Sequence, residues 1–332
     1  MRRFIIIGLA ILPSCSWAAV ESTTESFVAS ATSLPGHSGS IQQFTCFSLQ
    51  MVNPAVYAGV VTSVGLGAIT DTGAAWAQDQ FNGTNGSFYA EFASGWNANI
   101  SHSDALNKTL TFTASQPVTL VPGTAYRIRR HATLSDVFGT NDESGLLGGQ
   151  NSAQADNILL HSPDTQVTHT FFYSTVPGFN GWYRDDYTPA AQSVIYPGQG
   201  IMVRRKGASN LVLYLRGPAK EGMTLAPVYP GLNLVGTLKG SKPLRLSELN
   251  LYTANPATGV AGGSNPNMAD NLVVINPDST TATYFYSDYP GFQGWYDASF
   301  RPTGTVMINA GSAFFINRKA PRGAFYWGVP PE

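Results

Sequence analysis

The sequence predicts an all-β protein made of tandem antiparallel β-sandwich or barrel-like units, with helix confined to one or two very short turns. Short strand-like runs punctuated by turn residues are the first sign: Gly (34) and Pro (21) are abundant, while charged residues make up only 12% of the chain, about half the usual share. A long internal repetition is the second. YSTVPGFNGWYRDDYTPAAQSVIYPGQGIMVRR (Tyr173–Arg205) returns as YSDYPGFQGWYDASFRPTGTVMINAGSAFFINR (Tyr286–Arg318), with Tyr173/Tyr286, Trp182/Trp295, Gly198/Gly311 and Arg205/Arg318 each 113 positions apart. Repetition on this scale marks units built to one plan. A shortened third version is expected where FYAEFASGW (Phe88–Trp96) leads to VPGTAYRIRR (Val121–Arg130).

Taken in order, residues 1–18 read as a signal peptide. Arg2 and Arg3 precede the apolar Phe4–Leu12, which is too short to span a bilayer. The small residues flanking Trp17 place cleavage before Ala19, while Leu12-Pro13-Ser14-Cys15 offers a lipobox-like alternative in which Cys15 is lipidated. No later run is long and apolar enough for a transmembrane segment. Both readings of the leader send the protein out of the cytoplasm, to the periplasm, outer surface or medium. Residues 19–40, rich in Ser, Thr and Gly, read as a partly ordered lead-in. An N-terminal β unit is then expected over 41–131, a middle unit over 132–217 and a C-terminal unit over 218–332.

Helical turns are expected at two places. Thr133 stands three residues before Asp136, the spacing of a capping box, and Gly139 can end that turn. Leu246-Ser247-Glu248-Leu249 holds the matching position in the next unit. Each turn is followed by a Gly/Asn-rich loop and then Ala-Asp-Asn, at Ala155–Asn157 and Ala269–Asn271. Carboxylate and amide groups at a strand entrance satisfy backbone N–H groups of the preceding loop. The alternative is a calcium site, which needs several oxygens from one loop and has Asp142, Glu143, Asn151 and Asp164 nearby.

The charge pattern excludes whole classes of partner. The net charge is −1, with no basic stripe to neutralise phosphates, so nucleic acid is not an expected ligand. Among five histidines, His161 and His169 lie on adjacent predicted strands, too few for a metal site. Asp185 and Asp186 point to opposite faces of a strand and cannot act together as a glycosidase pair. Cys46 lies in an apolar strand, the setting of an inert thiol. No cofactor is expected, and enzymatic activity is the weakest reading.

The aromatic residues are the most suggestive set. Tyr173, Phe179, Trp182, Tyr183 and Tyr187 match Tyr286, Phe292, Trp295, Tyr296 and Phe300. Flat aromatic faces stack on sugar rings, which makes Tyr173, Trp182, Tyr183, Tyr286, Trp295 and Tyr296 the candidate ligand-binding residues. A shared core accounts for the same pattern. Alternation sends each Trp and its following Tyr to opposite faces, and the larger apolar ring gains more from burial, about 2–3 kcal/mol.

With Ala155–Ile158, Phe171–Tyr173, Gly181-Trp182 and the strand Ile195–Arg205 in view, the chain resembles a family of exported bacterial proteins of unknown function, found chiefly in verrucomicrobial-type genomes. Pro230–Gly236 is similar to the opening of blocks in other bacterial surface proteins. The resemblance spans about Cys46 to Arg318 and implies export, with no catalytic residue to carry over. The expected role is a non-enzymatic module of the cell envelope or surface, structural or interacting with other envelope proteins. The alternative is a carbohydrate-binding protein that meets polysaccharide through the loops around Trp182 and Trp295.

Overall fold

The computed structural model describes residues 5–6, 25–37, 43–82, 87–114, 119–237, 242–276 and 278–329. Cys15 and the expected cleavage site before Ala19 lie outside them. The described chain is nearly all β, in sheets that are antiparallel except where Ile5–Ile6 pairs parallel with Leu215 and Arg216, and none of its helices is long and apolar enough to cross a membrane.

The C-terminal unit is contiguous. Its five-stranded sheet runs in the order Gly231–Gly236, Ala313–Arg318, Asn271–Ile275, Thr281–Ser287, Gly294–Asp297. Thr224–Val228 pairs separately with Phe325–Val329, and Leu244–Arg245 with Met307–Ile308. One cluster lies between these layers, including Val235, Leu246, Leu272, Trp295, Phe314 and Trp327. Every strand partner and every member of that cluster comes from residues 224–329.

The middle unit repeats this order with a difference in connectivity. Its sheet runs Gln43–Ser48, Gly200–Arg205, Asn157–Ser162, Val167–Ser174, Gly181–Arg184, and Phe27–Leu34 pairs with Leu211–Pro218. Alternation explains the registration. Along Gly200–Arg205 the side chains of Ile201, Val203 and Arg205 are buried while Met202 and Arg204 are half-buried on the other face. Two stretches expected elsewhere, Phe27–Leu34 in the lead-in and Gln43–Ser48 in the N-terminal unit, thus complete the middle unit. The order of the sequence predicts contiguous units, whereas strand pairing is indifferent to separation along the chain.

Between those stretches and Ala132 sits an inserted sheet with its own order: Ala55–Val60, Ala125–Arg130, Phe88–Phe92, Asn97–Asp104, Thr109–Phe112, Ala68–Thr70, Ser63–Gly65. Its core is aromatic, with Trp76, Phe81, Phe92, Trp96, Phe112 and Tyr126. The insert does not form the expected third copy. Phe88–Phe92 pairs directly with Ala125–Arg130, whereas in the other two units the corresponding aromatic strand lies two places from the Arg-ended one. Aromatic strands and Pro-Gly turns recur because they suit β-sheets in general, which produced the likeness. The insert leaves and re-enters at one neck, where Ala55 pairs with Arg129 and the Asn53 amide donates to the carbonyls of Arg130 and His131. Adjacent ends are what allow a domain to be carried inside another.

The helical turns fall at the expected places. Leu134–Phe138 is a single helix capped reciprocally by Thr133 and Asp136, and Gly139 follows at φ +89°. Leu246–Glu248 is a 3-10 turn.

Candidate functional site

Both Pro-Gly-Phe loops are tight turns between the strands that carry the candidate aromatics. The Phe179 N–H donates to the Val176 carbonyl at 2.8 Å, and Phe292 to Tyr289 at 2.9 Å. Proline presets the first corner, and the next residue, Gly178 or Gly291, stands at φ +82°. Nothing lies within 4 Å of a Cβ built on either glycine, so the demand is conformational rather than steric.

These hairpins turn the tryptophans inward. Trp182 is 2% exposed, packs against Phe138 and Tyr173 at centroid distances of 5.8 and 5.4 Å, and donates its indole N–H to the Gly139 carbonyl at 2.7 Å. Trp295 is 6% exposed and meets Tyr286 edge-on at 5.6 Å. The Tyr286 ring is itself stacked on Tyr252 at 3.5 Å. On the opposite face Tyr183 lies on Phe172 and Tyr296 on Phe285. The six candidate residues therefore divide between a core and a half-buried outer layer, and do not converge on one surface.

Other aromatics of the same loops reach solvent. Phe179 is 63% and Phe292 62% exposed, at matching turn positions. Tyr187 and Phe300 are also exposed, each with its ring edge-on to the buried Phe172 or Phe285 at 5.9 and 5.7 Å. Both adopt the left-handed backbone region, at φ +64° and +60°, a costly conformation for a bulky residue. Turn bonds hold them there: Tyr187 N–H to Arg184 O at 2.9 Å and Phe300 N–H to Asp297 O at 3.0 Å. Alternation alone could not separate these exposed rings from the buried ones, because both faces of the strand carry packed aromatics.

The buried charges have structural partners. The Asp156 carboxylate accepts from Leu147 N–H at 2.7 Å, Gly207 N–H at 3.0 Å and Arg205 Nε at 2.8 Å. Asp270 accepts from Ala261 N–H at 2.8 Å, Lys319 N–H at 2.8 Å and Arg318 Nη1 at 3.1 Å. In both units the guanidinium then ties backbone carbonyls: Leu34 and Ser209 from Arg205, Gly259 and Pro256 from Arg318. The loop-closing role expected of these aspartates is what the geometry displays; the arginine partners could not be read without the pairing of distant strands.

At the neck of the insert a second ionic cluster joins Arg129 to Glu91 at 2.6 Å and to Glu25 at 2.7 Å, with Lys220 against Glu91. Burial by itself would raise the Glu91 carboxyl. The adjoining Lys220 ammonium and Arg129 guanidinium outweigh it and hold the group below the usual range. Nearby His131 is pushed down to about 3 by burial, its Nε2 bonded to Asn99 Oδ1 at 2.9 Å. Cys46 is pushed up to about 12 by burial and stays a thiol at neutral pH. His161 bonds Thr168 Oγ1 and the Leu232 carbonyl, at 2.9 and 2.8 Å. The ionic cluster and the two histidines fasten strands and loops together.

A cleft of about 340 Å³ separates the middle and C-terminal units. Phe44, Cys46, Ile275, Asn309 and Ala313 are among its lining residues, all uncharged.

No family model, curated protein or solved structure matches this chain.

Proposed function

We propose that the protein is an exported, non-enzymatic module of the cell envelope or surface that binds its partner through aromatic residues presented once by each unit. The observation that carries this reading is the matched exposure of Phe179 with Phe292 and of Tyr187 with Phe300. Phe179 and Phe292 stand out at the turn tips, and Tyr187 and Phe300 hold a strained backbone while still more than half exposed; binding gives such exposed rings a use. The basic, apolar leader and the resemblance to exported bacterial proteins support the location.

A polysaccharide ligand is the second reading, favoured by the low charged fraction of the chain, 12%, and by the flat exposed rings. It moves the stacking residues from Trp182 and Trp295, which are buried, to Phe179 and Phe292. Glycan-array binding of the secreted protein, alongside its Phe179→Ala/Phe292→Ala variant, tests both. Loss of glycan binding at unchanged melting temperature supports the polysaccharide reading. Wild-type binding by the double variant removes these loops from the site. With no glycan bound at all, an envelope protein becomes the partner to seek.

A further inference from the structure

The contacts between the middle and C-terminal units come in exchanged pairs. The Ser48 N–H donates to Gly311 O at 2.8 Å, and the Gly236 N–H donates to Gly198 O at 2.9 Å. Ser48 and Gly236 hold the same place in their sheets, since Ser48 pairs with Gly200 and Gly236 with Ala313. Gly198 and Gly311 likewise correspond. Phe47 bridges Ser312, and its counterpart Val235 bridges Gln199, the counterpart of Ser312. The Phe44 N–H donates to Ser279 Oγ at 3.0 Å, and the Leu232 N–H to Gln166 Oε1 at 2.7 Å. Ser279 and Gln166 occupy the same left-handed turn position, at φ +63° and +57°.

Two contacts join a residue to its own counterpart, as happens only beside a two-fold axis. A Cβ built on Gly200 would lie 2.7 Å from the Ala313 Cβ, and one built on Gly236 would lie 2.0 Å from the Ser48 Cβ. The touching strands obey the same exchange: Gly200–Arg205 meets Gly231–Gly236 as Ala313–Arg318 meets Gln43–Ser48. Reciprocal contacts of this kind define an isologous interface.

We propose that the surface joining the two units is self-complementary, and that the partner it fits is a second copy of the same unit. The chain is then a covalently joined two-fold dimer, with the insert carried by one half. Close approach at the axis needs a glycine on one side of each crossing, Gly200 against Ala313 and Gly236 against Ser48. In a pair of C-terminal units Ala313 would meet Ala313 of the other copy, and its Cβ would also press on Leu234 as one on Gly200 would, at 2.5 Å from Cγ. Ala313→Gly removes both obstacles.

Two experiments test this. In the full chain, Gly236→Ser alone should lower the melting temperature, and adding Ser48→Gly should return it towards wild type, because equivalent positions have exchanged residues. The C-terminal unit, residues 222–332, contains all its own strand partners and its own core, and is prepared separately with Ala313→Gly. Light scattering should give twice the monomer mass, falling to the monomer when Leu234→Asp is added. Three results overturn the proposal: a swap no better than Gly236→Ser alone, a folded Ala313→Gly unit that stays monomeric at micromolar concentration, or a unit that fails to fold without its neighbour.

Discussion

Trp182→Ala removes an indole that is 2% exposed and wedged between Phe138 and Tyr173. Truncating a buried tryptophan costs about 3–5 kcal/mol through lost burial and the cavity left behind. The substitution also strips the Gly139 carbonyl of its indole donor at 2.7 Å, adding about 1 kcal/mol. The expected loss is therefore about 4–6 kcal/mol from the middle unit. Trp182→Phe keeps most of the ring contact and loses the hydrogen bond, so its expected cost is smaller, about 1–3 kcal/mol. Urea denaturation followed by circular dichroism measures both, with each transition fitted separately because the three hydrophobic clusters are distinct. If Trp182→Ala shifts the stability of every transition by less than about 1 kcal/mol, the indole is not a core residue. The burial argument then fails.

Asp156→Ala leaves the Arg205 guanidinium buried without its carboxylate, and should cost about 3–5 kcal/mol; Asp270→Ala should do the same to the C-terminal unit, as denaturation of each variant will show. His131 is held neutral by burial, at about 3 against an ordinary 6.5, so the unfolded chain binds the extra proton between those values. Its contribution to stability is present above about pH 6.5 and lost as the pH falls through that window, by about 2 kcal/mol at pH 5. Asp142, lifted to about 6 by burial, acts in the opposite sense between about pH 4 and 6; comparing His131→Gln with wild type at pH 7 and pH 5 isolates the histidine, and equal pH dependence in the two would refute its role. Cys46 is half-buried with its thiol raised to about 12, so it should react with a thiol reagent at pH 8 far more slowly in the native chain than in the unfolded one; equal labelling rates would contradict the raised pKa.

Local chemistry made much of the architecture readable from the sequence. Strand alternation, the Pro-Gly corners at Gly178 and Gly291, the Thr133/Asp136 cap and the 113-residue spacing each involve neighbouring residues or comparison of like with like. The loop-closing role of Asp156 and Asp270 was legible for the same reason. Only the tertiary structure decided that Phe27–Leu34 and Gln43–Ser48 complete the middle unit, because hydrogen bonding between strands carries no record of chain separation. It also decided which aromatic rings are covered. Alternation assigns Phe172 to the face opposite Phe171, yet Phe172 is fully buried there beneath Tyr183 and Tyr187. The partnership of Arg205 with Asp156 and the exchanged contacts between units likewise depend on strands brought together from far along the chain, which period and composition do not encode.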